Sequence, residues 1–181
     1  MFNLTYLGHA GWLIEHTNFK CICDPWFGPQ GAFFGEWYPF PQNYHLLTDK
    51  LLENLDFIYI SHVHEDHYDK WLLKKVNKEV PIYIANFEDK TLRDGLRELG
   101  FQVVKEITGD DEITVKDISI RILKEEDSLD NDSCIILNDG TSKILNLNDC
   151  HIDSSKLKKM IGSVDLLLIQ TSSAIWWPCA Y

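Results

Sequence analysis

Asp56-Phe57-Ile58-Tyr59-Ile60-Ser61-His62-Val63-His64-Glu65-Asp66-His67-Tyr68 is the stretch that decides the fold. Its first half is apolar and β-branched, the composition of a buried parallel strand. Its second half places three His and one Asp within positions 62–67 as His-x-His-x-Asp-His. Together they predict a strand whose carboxyl end opens into a polar loop, where open α/β sheets put their chemistry. Imidazole suits Zn, Fe and Ni, and a carboxylate adds a harder donor, so this loop can hold one or two first-row metal ions. A single His is usually a core or surface group. Four such donors at one strand end point to a metal site.

Working outward toward the N-terminus, Phe2 to Leu7, a Gly8-His9-Ala10-Gly11 turn, Trp12 to Glu15 and Phe19 to Cys23 read as β-hairpins ended by Asp24-Pro25. Trp26 to Tyr44 is long, aperiodic and rich in Gly, Pro and aromatics, which predicts an ordered flap or substrate loop. Leu46 to Leu55 has helical spacing. Beyond the motif the order is a helix over Lys70 to Val76, a strand over Val80 to Ala85, a helix over Thr91 to Leu99 stopped by Gly100, and a strand over Phe101 to Val104. Alternation returns in Glu112 to Val115, Ile118 to Leu123, Cys134 to Leu137 and Lys143 to Leu147. A short helix over Lys156 to Ile161 and an apolar strand over Asp165 to Gln170 follow. Hairpins flanking a helix–strand alternation predict one α/β domain over 1–181, built as a helix-sheet-sheet-helix sandwich.

The chain has 181 residues, 45% of them hydrophobic, enough for one domain with a substantial core. A net charge of -11 argues against a nucleic-acid partner. The clusters Lys70, Lys74, Lys75 and Lys156, Lys158, Lys159 read as solvated helix faces. No apolar run approaches the ~20 residues of a transmembrane segment, and no charged n-region opens the chain. Cys21, Cys23, Cys134, Cys150 and Cys179 are odd in number and mostly lie in apolar runs, as expected of reduced cysteines in a cytoplasmic protein. The oligomeric state is left open.

The motif resembles the signature of the metallo-β-lactamase superfamily. Tyr6-Leu7-Gly8-His9-Ala10, Cys23-Asp24-Pro25-Trp26, Ser133-Cys134-Ile135-Ile136, Lys143-Ile144-Leu145-Asn146 and Asp149-Cys150 follow in that family's order. This set is most similar to the metallo-β-lactamase-like part of CMP-N-acetylneuraminate hydroxylases and their bacterial relatives. The resemblance implies an αββα four-layer sandwich with a dinuclear site, most simply two Zn ions, with Mn or Fe as alternatives. His62 and His64 would bind one ion, Asp66 and His67 the other, and Asp149 would bridge them. Asp24 would hydrogen-bond the metal loop and orient it, and His9 would face the site from the substrate side. The implied activity is hydrolysis of an ester, lactone, amide or phosphodiester in a small-molecule substrate. A metal-bound hydroxide would be the nucleophile, with Asp66 as the catalytic carboxylate.

Two departures temper the resemblance. The family's third-motif His is absent from Glu125-Glu126-Asp127-Ser128-Leu129-Asp130-Asn131-Asp132, where Asp127, Asp130 or Asp132 could stand in and harden the site toward Mn or Fe. The family's last His falls beyond Tyr181, and the chain stops on an aromatic cluster with Trp176 and Trp177. The domain is therefore expected to be C-terminally incomplete, and this chain alone to be a poor enzyme. Two other functions compete. One is a component of a sialic-acid-hydroxylase-like oxidoreductase, although no Rieske ligand pattern of two Cys and two His occurs here. The other is a degenerate, non-catalytic metal-binding domain.

Overall fold

The computed structural model describes residues 1–125 and 131–170. β1 (Asn3–Gly8), β2 (Gly11–His16) and β3 (Phe19–Cys23) form an antiparallel meander. From β3 the sheet continues in parallel through β4 (Phe57–Tyr59), β5 (Ile82–Ala85) and β6 (Val104–Ile107). The second sheet comprises β7 (Ile113–Val115), β8 (Ile118–Lys124), β9 (Ser133–Asn138), β10 (Lys143–Asn148) and β11 (Leu166–Ile169), adjacent in chain order. Its pairs are antiparallel except β10 with β11.

The burial pattern makes this a four-layer sandwich. In β9, Ile135 and Leu137 join the large core, while Cys134 and Ile136 join a smaller cluster behind it. That alternation is the period of two expected of a strand buried on both faces. The large core also receives Leu51 from α1 (Asp49–Leu52), Leu72 and Leu73 from α2 (Lys70–Leu73), and Leu92 and Leu96 from α3 (Thr91–Glu98). The smaller cluster takes Leu157 and Ile161 from α4 (Ser154–Ile161). Helices α1–α3 thus cover the first sheet and α4 the second, with the two sheets packed between.

Some boundaries differ from expectation. The helix predicted over Leu46 to Leu55 is reduced to Asp49–Leu52, because Tyr44–Leu46 forms a 3₁₀ turn and Asn54 takes a positive φ of 54°. The strand predicted over Phe101 to Val104 begins only at Val104. Gly100 N–H and Phe101 N–H still close the end of α3, bonding to Arg97 and Leu96 carbonyls. Cys21, Cys23, Cys134 and Cys150 are buried free thiols, as expected; Cys179 lies outside the described residues. Among the described residues no helix is long and apolar enough to cross a membrane.

Candidate metal centre

The register of the first sheet brings the candidate residues to one edge. Gly8 pairs with Gly11, Trp12 with Cys23, and Cys23 with Tyr59. The residues just past that row are therefore His9 beyond β1, Asp24 beyond β3, and Ser61 and His62 beyond β4. From the second sheet, Asp149 follows β10 at the same edge. The β1–β2 turn needs positive φ at Gly8 (101°) and His9 (52°). A Cβ on Gly8 would also lie 3.0 Å from the Asn43 amide nitrogen, so glycine is required there on two counts.

Asp24 is fully buried and ties the loop down. Its Oδ1 accepts from Ser61 N–H at 2.8 Å, and its Oδ2 lies 3.2 Å from His67 Nδ1. The other ring nitrogen of His67, Nε2, faces the cleft, 3.4 Å from Asp149 Oδ2 and 3.8 Å from Asp66 Oδ2. His62 is held alike: Nδ1 sits 3.0 Å from both Ser61 Oγ and Asp132 Oδ1, leaving Nε2 in the cleft 2.8 Å from His64 Nδ1. His9 Nε2 meets Asp66 Oδ2 at 2.8 Å. The structure thus gathers His62, His64, Asp66, His67, Asp149, Asp24 and His9 in one place.

The donor set suits a cation. Asp66 Oδ1 and His67 Nε2 are buried with no hydrogen-bond partner among the described residues, a condition native structures rarely keep without a functional reason. Two groups of donors, His9–Asp66–His67 and His62–His67–Asp149, each lie within 4.8 Å of one another. Electrostatics agree. Burial, reinforced by repulsion from His67 and His64, lowers His62 to about 3, so it is a neutral donor. Burial opposes charge on His67 too, but the Asp149 and Asp24 carboxylates outweigh it and push its pKa up to about 10. Burial likewise resists ionisation of Asp66, yet the His9 hydrogen bond and the His67 charge hold it below the usual carboxylate range. Asp149 is kept below that range against its own burial, chiefly by His67.

Several supporting residues were given no role by the sequence. Ser133 Oγ donates to Ser61 C=O at 2.7 Å and lies 2.8 Å from Tyr59 Oη, joining β9 to the metal loop. Asn43 donates to the carbonyls of Leu7 and Trp26 at 2.7 and 2.8 Å and so pins the long loop. Asp69 caps α2 through the Trp71 and Leu72 N–H groups and braces Phe27 N–H. Single Ser, Asn and Asp residues in such roles look like ordinary loop residues in a sequence. Asp132, weighed above as a replacement metal ligand, instead faces the inner nitrogen of His62. Asp127, Asp130, Trp176, Trp177 and Tyr181 lie outside the described residues.

The flap predicted over Trp26 to Tyr44 contains a 3₁₀ turn at Phe33–Gly35. It touches the metal loop where Phe33 N–H donates to Glu65 Oε2 at 2.7 Å and the Phe33 ring meets that of His64 edge-on. Beside the donors opens a cavity of ≈ 640 Å³ whose wall includes Tyr6, Trp12, Trp37, His9, Asn146 and Asp149.

A family model described as a β-lactamase superfamily domain matches residues 3–177. A Mycolicibacterium smegmatis protein named for a Rieske 2Fe-2S iron–sulfur centre is 35% identical over 187 residues, covering 98% of this chain and 36% of that protein. The human inactive cytidine monophosphate-N-acetylneuraminic acid hydroxylase is 32% identical over 158 residues, covering 81% of this chain and 30% of its own. The chain therefore spans about a third of the length of these relatives. Among solved structures, a possible metal-dependent hydrolase of Veillonella parvula superposes with a TM-score of 0.68 at 19% identity, covering 88% of this chain and 66% of that one. CmlA, a diiron β-hydroxylase of Streptomyces venezuelae, gives 0.68 at 22% identity, covering 92% of this chain and 34% of its own. At such identities the structural likeness is one of fold.

Proposed function

Because this chain belongs to the β-lactamase superfamily and has the metallo-β-lactamase fold, we propose that it is a metal-dependent hydrolase domain acting on an ester, lactone, amide or phosphodiester bond of a small molecule. The observation that carries this is the convergence of His62, His64, Asp66, His67 and Asp149 on one cleft, with His67 Nε2 and Asp66 Oδ1 buried and unpartnered among the described residues. His62 and His64 would hold one ion and Asp66 and His67 the other, with Asp149 between them. Zinc fits this nitrogen-and-carboxylate set, and manganese or iron would serve as well. The metal, when bound, supplies a Lewis acid and lowers the pKa of water at the site to near 7.

The protein's own groups then do the following. Asp24 and Ser61 hold the inner nitrogens of His67 and His62, with Asp132 beside the latter, so the outer ones point to the cleft. Asp66, held ionised, is placed to accept a proton from the attacking water, which would make it the catalytic carboxylate. The cavity walled by Tyr6, Trp12 and Trp37 would seat the remainder of the substrate. The test is turnover of generic ester, lactone, amide and phosphodiester substrates by the full-length protein loaded with Zn, Mn or Fe. Metal-dependent turnover abolished by Asp66→Asn supports the proposal; no turnover with any metal opposes it.

A second reading is a metal-binding domain within a larger oxidoreductase, favoured by the names of the two curated relatives and the length they have beyond this match. Reductant-dependent oxygen consumption by the iron-loaded full-length protein, without hydrolysis, would select it. Metal binding with neither activity would leave a degenerate domain.

A further inference from the structure

The donors are unevenly divided between the two halves of the cleft. On the His64 side, His62 Nε2 and His64 Nδ1 face each other, and the other acidic neighbour of His62, Asp132, addresses its inner nitrogen. On the opposite side stand Asp66 and His67, with Asp149 within reach of both His67 and His62, and against them the turn after β1 delivers His9 Nε2. We infer that His9 is a metal ligand, joining Asp66 and His67 in a three-donor group that fills first. This rests on the metal-centre reading above and deepens it.

Distances carry the inference. Donors about 2.0–2.1 Å from one tetrahedral ion lie about 3.4 Å from each other. His67 Nε2 stands 3.4 Å from Asp149 Oδ2 and 3.8 Å from Asp66 Oδ2, and His9 Nε2 stands 2.8 Å from the same Asp66 oxygen. The separations to His67 exceed a normal N–H···O hydrogen bond, and its Nε2 is buried without one among the described residues. Three donors converge on a gap that their mutual hydrogen bonds do not fill.

His9 is also held for the task. Its ring packs edge-on against Trp26 at 5.1 Å and His67 at 5.4 Å. Its φ of 52° is one that His, Asn and Asp adopt more readily than other side chains. Among the described residues the histidines outside the motif do not reach this half: His16 pairs with Asp139, while His45 and His151 lie exposed on other segments.

The experiment is a titration of the metal-free protein with Co(II), read by its visible absorption and by paramagnetically shifted imidazole N–H resonances. It compares the parent with His9→Asn, which keeps a residue tolerant of positive φ, and with His64→Ala; a thermal melt without metal confirms that each variant folds. The first equivalent should weaken in His9→Asn by more than the roughly 10–100-fold that loss of a merely orienting partner costs. One shifted imidazole signal should vanish at equal loading, and His64→Ala should leave that first equivalent in place. An unchanged first equivalent in His9→Asn would overturn the assignment and return His9 to a hydrogen bond on Asp66. Its loss in His64→Ala but not in His9→Asn would overturn it while leaving the metal centre intact. Failure of the parent to bind Co(II) would remove the metal centre itself.

Discussion

Asp24 shows how one side chain can serve a whole site. It is fully buried, adopts a positive φ of 39°, and divides its oxygens between Ser61 N–H and His67 Nδ1. Asp24→Ala should weaken metal binding by roughly 10–100-fold, the range for a group that orients a ligand, as measured by competition with a chelating dye. Unchanged affinity would reduce Asp24 to a turn residue. Asn146 presents the opposite situation. Alternation along β10 puts Ile144 in the inter-sheet core and Asn146 next on the same face, where its amide nitrogen is buried without a partner among the described residues. An unpaired buried amide costs about 1–3 kcal/mol, so Asn146→Leu should raise the midpoint of chemical denaturation. A lower midpoint would show that the amide is satisfied in solution. The clustering of His62, His64, Asp66 and His67 was legible in sequence because they lie within six positions. Of the groups around them, Asp24 was also anticipated, whereas the place of Asp132 beside His62 and the braces from Ser133 and Asn43 to neighbouring backbone arise only through the fold.

At the scale of elements, a chain of hydrogen bonds links β4 to β9. Burial raises the Tyr59 phenol well above its ordinary range, so it remains a donor. It can give its proton to Ser133 Oγ, which in turn donates to the Ser61 carbonyl at the root of the metal loop. Ser133→Ala leaves both outer groups buried and unpaired and should cost roughly 2–4 kcal/mol of stability, read from urea unfolding. A cost below about 0.5 kcal/mol would mean that the two sheets are not coupled there. Strands with clear patterning, such as Ile118–Lys124 and Ser133–Asn138, could be read from sequence nearly to their ends. Leu46 to Leu55 could not, because a 3₁₀ turn and the positive φ of Asn54 interrupt an apolar spacing that imitates a helix. Phe101 was misassigned because a buried aromatic packs equally well at a helix terminus and in a strand.

At the scale of the molecule, the two deeply buried histidines give the metal-stripped protein a defined pH response. His62 is lowered from 6.5 to about 3, so the unfolded chain holds the extra proton between those values and stability falls as the pH drops through that window. His67 is raised from 6.5 to about 10, so the folded state holds the extra proton there and stability falls as the pH climbs. Their combined contribution is greatest near pH 6.5. Saturating metal, on the proposed ligation, would take both rings as neutral donors and should flatten the alkaline limb, while His67→Gln should remove it in the stripped protein. Melting curves across pH test this, and an alkaline limb unchanged by either would contradict it.

We propose that this sandwich holds metal at the edge where β1, β3, β4 and β10 end. The most direct measurement is elemental analysis of the purified protein together with its melting temperature before and after chelation and re-addition of Zn, Mn or Fe. Bound metal should be present, chelation should lower the melting temperature, and re-addition should restore it, because an ion that binds only the folded state stabilises it by mass action. His67→Ala should abolish both the metal and the shift. A protein that carries no metal, and melts at the same temperature with and without each ion, would contradict the account.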